Sequence, residues 1–299
     1  MIKNKKQGDV IHISGMQEKI LRELSTYKFL TVSQMLKLKV GTRNRIYENI
    51  QKLIEYGFVK FADYKALLRY GHQLERFHFL TPKGANLLVS NTPNYHLDNV
   101  RFPKSNTTLF THDYFHRFSS INTHISFRKW CKDYNMSLKR YEDYFDVVGS
   151  RKKHSTEPMK AITRIEFGNG YFLDPDGVAI YENNDKLKIT LIETYNGKDT
   201  KRVVEQLRKH LYIIKHGLAS SKYKIEAPTR VCCTFEDANA RDAVIKRINT
   251  DPYFQFKDIE YYLFFGVASD VWRDFENSFM NTEGEFLKMS NLRPVTINT

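Results

Sequence analysis

Two carboxylates are the residues best suited to chemistry: Asp176, in the stretch LDPDGVAI, and Glu193, seventeen positions later in KITLIETY. Each borders an apolar run of β character, and NNDK between them is a turn sequence. Two antiparallel strands joined by that turn bring both acids to the same end of a sheet. Hard oxygen ligands in that position suit Mg²⁺ or Mn²⁺, which neutralises the charge gathering on a phosphodiester under attack and acidifies a bound water or hydroxyl. A nearby ammonium would stabilise the same charge; Lys198 and Lys201, at the start of the next helix, are the candidates. Tyr195 is the best placed of 18 tyrosines for a covalent nucleophile, although an aromatic residue on a strand is more often part of the core. The plain alternative is that PDG is an ordinary turn and that a Glu ending an apolar strand simply meets water.

The elements around these acids are legible from periodicity. A long helix is predicted over 111–134 and a strand over 138–148, then the polar stretch GSRKKHSTEPMK, then strands over 160–167, 171–181 and 187–195. The helix DTKRVVEQLRKHLYIIKHG, strand RVCCTF, helix DANARDAVIKRIN and strand IEYYLFFGVA follow. Grouped strands followed by alternating units predict an α/β domain (α+β over the whole chain) with a central mixed sheet. This order resembles the core of the PD-(D/E)xK nuclease superfamily, with a restriction-endonuclease-like sheet. The resemblance implies that Asp176 and Glu193 are metal ligands. The family's lysine, two places after the glutamate, is replaced by Tyr195. A branch of the family carries Gln-x-x-x-Tyr on the following helix, and Gln206 and His210 stand at those places.

The first third has a different character. MQEKILREL sets Ile20, Leu21 and Leu24 on one helical face; TVSQMLKLK opens on a capping Thr31. Thr42 can cap a third helix with Ile46, Ile50, Leu53 and Ile54 at helical spacing, closed by Gly57. GFVKFADY and ERFHFLT read as strands around a loop holding Lys65, Arg69 and His72, before a helix in LTPKGANLLV. The run resembles the winged-helix family over residues 15–90. That resemblance implies that the third helix enters the major groove with Arg43, Asn44 and Arg45 nearest the bases. Lys52, Lys65, Arg69 and His72 would meet phosphates.

Charge supports a polyanionic partner. The chain carries 47 Lys plus Arg against 34 Asp plus Glu, and residues 1–95 hold 16 of the bases against 7 of the acids. Clustered Lys and Arg displace counterions from phosphates. Three cysteines without a CxxC pair form neither a disulfide framework nor a zinc site, and predict a reducing, cytoplasmic setting. No apolar run reaches the length of a membrane span. His112, Asp113 and His116 in HDYFH imitate a zinc-binding helix, but no third ligand is evident.

The expected domains are 1–90, a linker over 91–108, and 109–299 with a partly ordered C-terminal extension from EGEFLKMSNL onward. The combined layout of winged helix, THDYFHRFSSINTHI, LDPDGVAIY, LIETYNGKDT and QLRKHLYI resembles the replication-relaxation family of mobile elements, including MOBC-type relaxases. By that resemblance the chain is a plasmid or mobile-element protein that nicks DNA at a transfer or replication origin with Mg²⁺ or Mn²⁺. Its partners are a duplex DNA site and other DNA-processing proteins of the same element. The alternative is a DNA-binding regulator of replication or transcription whose nuclease fold has become a scaffold.

Overall fold

The computed structural model of the chain describes residues 13–62, 74–92, 96–103, 113–149, 158–168 and 170–292. The chain divides into two compact units, Met1–His112 and Asp113–Thr299.

In the first unit, helices α1 (Gly15–Tyr27), α2 (Val32–Lys37) and α3 (Arg43–Glu55) precede strands β1 (Val59–Ala62) and β2 (Phe77–Leu80) and helix α4 (Pro82–Asn91). Ser14 with Gln17, and Thr31 with Gln34, form reciprocal capping boxes that fix where α1 and α2 begin. Ile20, Leu21, Leu24, Met35, Ile46, Ile50 and Leu53 are buried together with Phe77 of the antiparallel β1–β2 pair. Gly84, near the start of α4, lies against the chain at Phe58: an added Cβ would fall 2.2 Å from the Phe58 carbonyl oxygen, so only glycine fits. The expected linker does not stand apart. Its described part, 96–103, folds back onto α1, where Val100 is buried and Arg101 donates from N to Ser25 O (3.0 Å) and from Nη1 to Thr26 O (2.7 Å).

The second unit opens with α5 (Tyr114–Asp133), β3 (Ser137–Asp143) and the short strands β4 (Val147–Val148), β5 (Lys160–Ala161), β6 (Ile165–Glu166) and β7 (Phe172–Leu173). Then come β8 (Gly177–Asn183), β9 (Lys186–Tyr195), α6 (Thr200–Lys215), α7 (Leu218–Tyr223), β10 (Thr229–Phe235) and α8 (Ala238–Thr250). The unit closes with β11 (Leu263–Val267), α9 (Ala268–Arg273), β12 (Phe279–Met280) and β13 (Phe286–Leu287). Seven strands make one mixed sheet in the order β13-β12-β11-β10-β9-β8-β3. The pairings β9–β10 and β10–β11 are parallel, and β3–β8, β8–β9, β11–β12 and β12–β13 are antiparallel.

Alternation along the strands builds two cores. Ile189, Leu191, Val231, Cys233 and Phe265 pack with Leu207, Leu211 and Ile214 of α6 and Val244 of α8. Ile192, Cys232 and Phe264 point to the opposite face and pack with Phe127 and Trp130 of α5 and Val271 of α9. The stretch expected to be a partly ordered extension contributes β13 to the sheet, and Met289 is buried beyond it. Among the described residues, no helix is long and apolar enough to cross a membrane.

Candidate active site

Strand β8 begins one residue after Asp176, and Gly177 pairs in register with Ile192, so Asp176 and Glu193 come to the same end of the β8–β9 pair. Tyr144 N donates to the Asp176 backbone oxygen at 3.0 Å, which holds the turn into β8. The Asp176 carboxylate is anchored on both oxygens. Oδ1 lies 2.8 Å from His116 Nε2 on α5, and Oδ2 accepts from Thr194 N at 2.7 Å.

Glu193 sits within the sheet and is 1% exposed. Its neighbours come from one face of α6, where positions four apart lie above one another. Gln206 Nε2 donates to Oε2 at 2.8 Å, and His210 Nε2 lies 2.6 Å from Oε1. Burial, reinforced by the charge of Asp176, raises the Glu193 carboxyl well above the usual carboxylate range. Burial lowers the His210 imidazole to about 3. The separated carboxylate–imidazolium form is therefore disfavoured on both sides, and a single proton links Glu193 Oε1 to His210 Nε2. His210 Nδ1 is buried with no hydrogen-bond partner among the described residues.

Further charges surround the pair. Asp174 acts on Glu193 as a second like charge, and Arg164 holds it bidentately at 2.8 and 2.7 Å. The strongest basic influence on Glu193 is Arg202, one helical turn before Gln206. Lys198 and Lys201, the expected cations, are exposed at the start of α6. Tyr195 is corrected from nucleophile to core residue. It is 3% exposed, packs on the Phe235 ring at 5.2 Å, and burial raises its phenol well above its ordinary range.

Among the described residues, no group of three or more His, Cys, Asp or Glu is arranged to hold a metal. The zinc-helix reading finds no support there. His116 is engaged with Asp176, and Asp113 accepts from Arg117 Nη2 (3.2 Å) and Tyr144 OH (2.5 Å), while His112 lies outside the described residues. Asp176, just ahead of β8, and Glu193 on β9, each oxygen already in one hydrogen bond, fit a hard ion that keeps most of its own water once Glu193 gives up the proton it shares with His210. That is the habit of Mg²⁺, which rarely uses an all-protein cage. A divalent charge would also relieve the like-charge burial of Asp176 and Glu193.

In the first unit, Arg43, Asn44 and Arg45 are exposed at the start of α3, and Lys52 is exposed nearer its end. Arg43 Nη1 reaches Glu75 Oε1 at 3.4 Å, and Glu75 also accepts from Ser33. Tyr47 and Gln51 share the exposed face with Asn44 and line a groove of about 310 Å³ with Phe61, Glu75 and Arg76. Lys65, Arg69 and His72 lie outside the described residues.

Of the residues singled out in the sequence, Asp176, Glu193, Tyr195, Lys198, Gln206 and His210, the fold brings Gln206 and His210 onto Glu193 and sets Asp176 at the same sheet end, while Tyr195 is buried and Lys198 exposed. Sequence reasoning overlooked Arg202 and Asp174, although their i−4 and i−2 spacing from Gln206 and Asp176 was visible. It noticed His116 for the wrong ligand. No protein-family profile, curated protein or solved structure matches the chain.

Proposed function

We propose that the chain is a two-part DNA-processing protein: a winged helix over the first unit that reads a duplex site, and a nuclease-like second unit that nicks DNA. The observation that carries this reading is the convergence of Asp176 and Glu193 at one sheet end, with Gln206 and His210 brought onto Glu193 by α6. Asp176 and Glu193 would hold Mg²⁺ or Mn²⁺, and the ion would supply charge neutralisation at the phosphodiester and acidification of the attacking group. His116 and Thr194 N fix the direction of the Asp176 oxygens, and Gln206 and His210 fix those of Glu193. By resemblance to the replication-relaxation family, the substrate is a transfer or replication origin of a plasmid or other mobile element.

A second reading is a DNA-binding regulator that retains the nuclease fold as a scaffold. It is favoured by Tyr195, a core residue at the place of the family's lysine. Supercoiled plasmid carrying the native genetic neighbourhood, incubated with Mg²⁺, Mn²⁺ or EDTA, separates the two. Metal-dependent open circles, lost in Asp176→Ala and Glu193→Ala while gel shifts persist, are expected of the nuclease. Intact supercoils under every condition, with a gel shift present, would leave the regulator.

A further inference from the structure

The outward face of α6 and the β6–β7 hairpin beside it carry exposed aromatic rings among cations, a combination the acid site does not use. Four of the seven large aromatic side chains exposed among the described residues of the second unit lie here: Tyr171, Phe172, Tyr212 and Tyr253. Ring contacts join them. The Phe167 ring lies 6.4 Å from Tyr171, in nearly parallel planes, and 5.5 Å from Tyr212, which stacks on His216 at 4.0 Å. Beyond Tyr212, the Lys215 ammonium lies 4.2 Å from the centre of the Phe256 ring and 5.2 Å from that of Tyr253. The Tyr253 hydroxyl donates to Arg208 O at 3.4 Å. At the hairpin end, Arg164 sits 3.6 Å from the centre of the Phe172 ring while it holds Asp174. Rings and cations thus form one band across α6, from the hairpin to the segment after α8.

The charge of the band is positive. Helix α6 holds five Lys or Arg against one Glu. Leu207, Leu211 and Ile214 turn into the core, so Lys201, Arg208, Lys209, Tyr212, Lys215 and His216 face outward, and all six are exposed. The acids Glu166, Asp174 and Asp251 along its border are paired with Lys160, Arg164 and Arg208. A face that only meets water has use for the lysines but gains nothing from rings, and Tyr171 at the hairpin is 66% exposed. The fitting partner is a polyanion that also presents flat apolar faces. A single strand of nucleic acid offers both, because its bases are free to leave one another; a duplex hides those faces, and an acidic peptide supplies charge without them. We propose that this band binds single-stranded nucleic acid, with bases stacked on Tyr171 and Tyr212 and phosphates met by Lys209 and Lys215. The proposal needs neither a metal nor cleavage, and it does not rest on the nuclease reading.

Fluorescence anisotropy of labelled short oligothymidylate with the full chain in EDTA tests this, beside an abasic oligomer of the same length that keeps the phosphates and lacks the bases. Wild type is expected to bind oligothymidylate about tenfold or more tighter than the abasic oligomer. Tyr171→Ala and Tyr212→Ala should each lose about tenfold on oligothymidylate and little on the abasic oligomer, while Tyr171→Phe and Tyr212→Phe keep the affinity. Lys209→Gln and Lys215→Gln should each lower the salt slope by about 0.7. Tyr171→Ala removes an exposed ring and should melt with wild type, so it decides the matter alone if Tyr212→Ala proves unstable. The proposal is overturned if wild type binds both oligomers equally, if it binds neither, or if Tyr171→Ala, folded as wild type, keeps full affinity for oligothymidylate. Loss of nicking in the plasmid assay would leave these results untouched, and failure here would leave the acid site untouched.

Discussion

His116 and Asp176, sixty residues apart in sequence, meet at 2.8 Å between Nε2 and Oδ1. This bond ties α5, on one face of the sheet, to the end of the sheet where the acid pair stands. The ring of His116 is braced by Tyr144, edge to face at 5.1 Å, and the Tyr144 hydroxyl donates to Asp113 just ahead of α5. The helix start and the acid site are thus positioned by one connected group of side chains.

The bond has a pH signature. Burial works against the His116 imidazolium, but the Asp176 charge and hydrogen bond outweigh it and raise the group above its ordinary value. A raised histidine contributes stability that is fully present below its unfolded pKa of about 6.5 and is lost as pH rises through the folded value. Urea unfolding of wild type and His116→Gln from about pH 6 to pH 8 is expected to show their difference shrinking as pH rises. A constant difference would mean that the ring is neutral throughout.

Glu193 is buried, with Gln206 Nε2 donating to one oxygen and His210 Nε2 sharing a proton with the other. Glu193→Ala strands Gln206 Nε2 and His210 Nε2 in a closed site, and should cost about 2–4 kcal/mol in chemical denaturation. Glu193→Gln keeps the shape and one acceptor oxygen, and should cost clearly less. Equal costs would indicate that loss of the carboxyl group itself, which both variants share, sets the penalty rather than the cavity left by Ala.

On the duplex-recognition reading, Asn44 and Lys52 play different parts. Asn44→Ala is expected to relax preference at one base position, with a loss of about 1–3 kcal/mol on the preferred site only. Lys52, assigned to phosphate, behaves otherwise: Lys52→Ala weakens binding evenly across sequences and lowers the salt slope by about one. Competition binding against randomised duplexes, repeated over a salt series, measures both.

Arg202 is the cation to remove on the nuclease reading. Arg202→Ala should lower nicking by about 10²-fold if it stabilises charge at the phosphodiester, with gel-shift affinity kept within a few-fold. Lys198→Ala and Lys201→Ala should each leave nicking within a few-fold. A larger loss in either lysine variant than in Arg202→Ala would return the role to the lysine.

How much of this was legible depended on the range of the interaction. Helix α3 and strands β8 and β9 follow from local spacing and the NNDK turn, and β8–β9 pairing alone brings Asp176 to Glu193. Gln206 and His210 were reachable because four-residue spacing on α6 repeats whatever the helix packs against. Tyr195 stayed open between nucleophile and core because period-two alternation does not say which face of a strand is dry, and both faces of β9 are covered here. The role of His116 could not be read, since its partner lies across the sheet edge sixty residues away. The two-stranded extension at the C-terminal edge was missed because β12 and β13 are two residues each, too short for any period to emerge.

The placement of the two acids on a tight antiparallel pair also bears on the order of assembly. Closing the turn at Asn184 and Asp185, both of which adopt positive φ, sets β8 against β9 at the smallest loop cost the sheet offers. The parallel pairing of β9 with β10 must wait for α6 and α7 to be spanned, a slower and more distant closure. The carboxylates therefore meet while the surroundings are still wet and both can be ionised. The docking of α6 then closes Glu193 away from water and lays His210 upon it. Folding of this unit should accordingly take up a proton late, at pH values above the ordinary carboxylate range, in the step that buries Glu193.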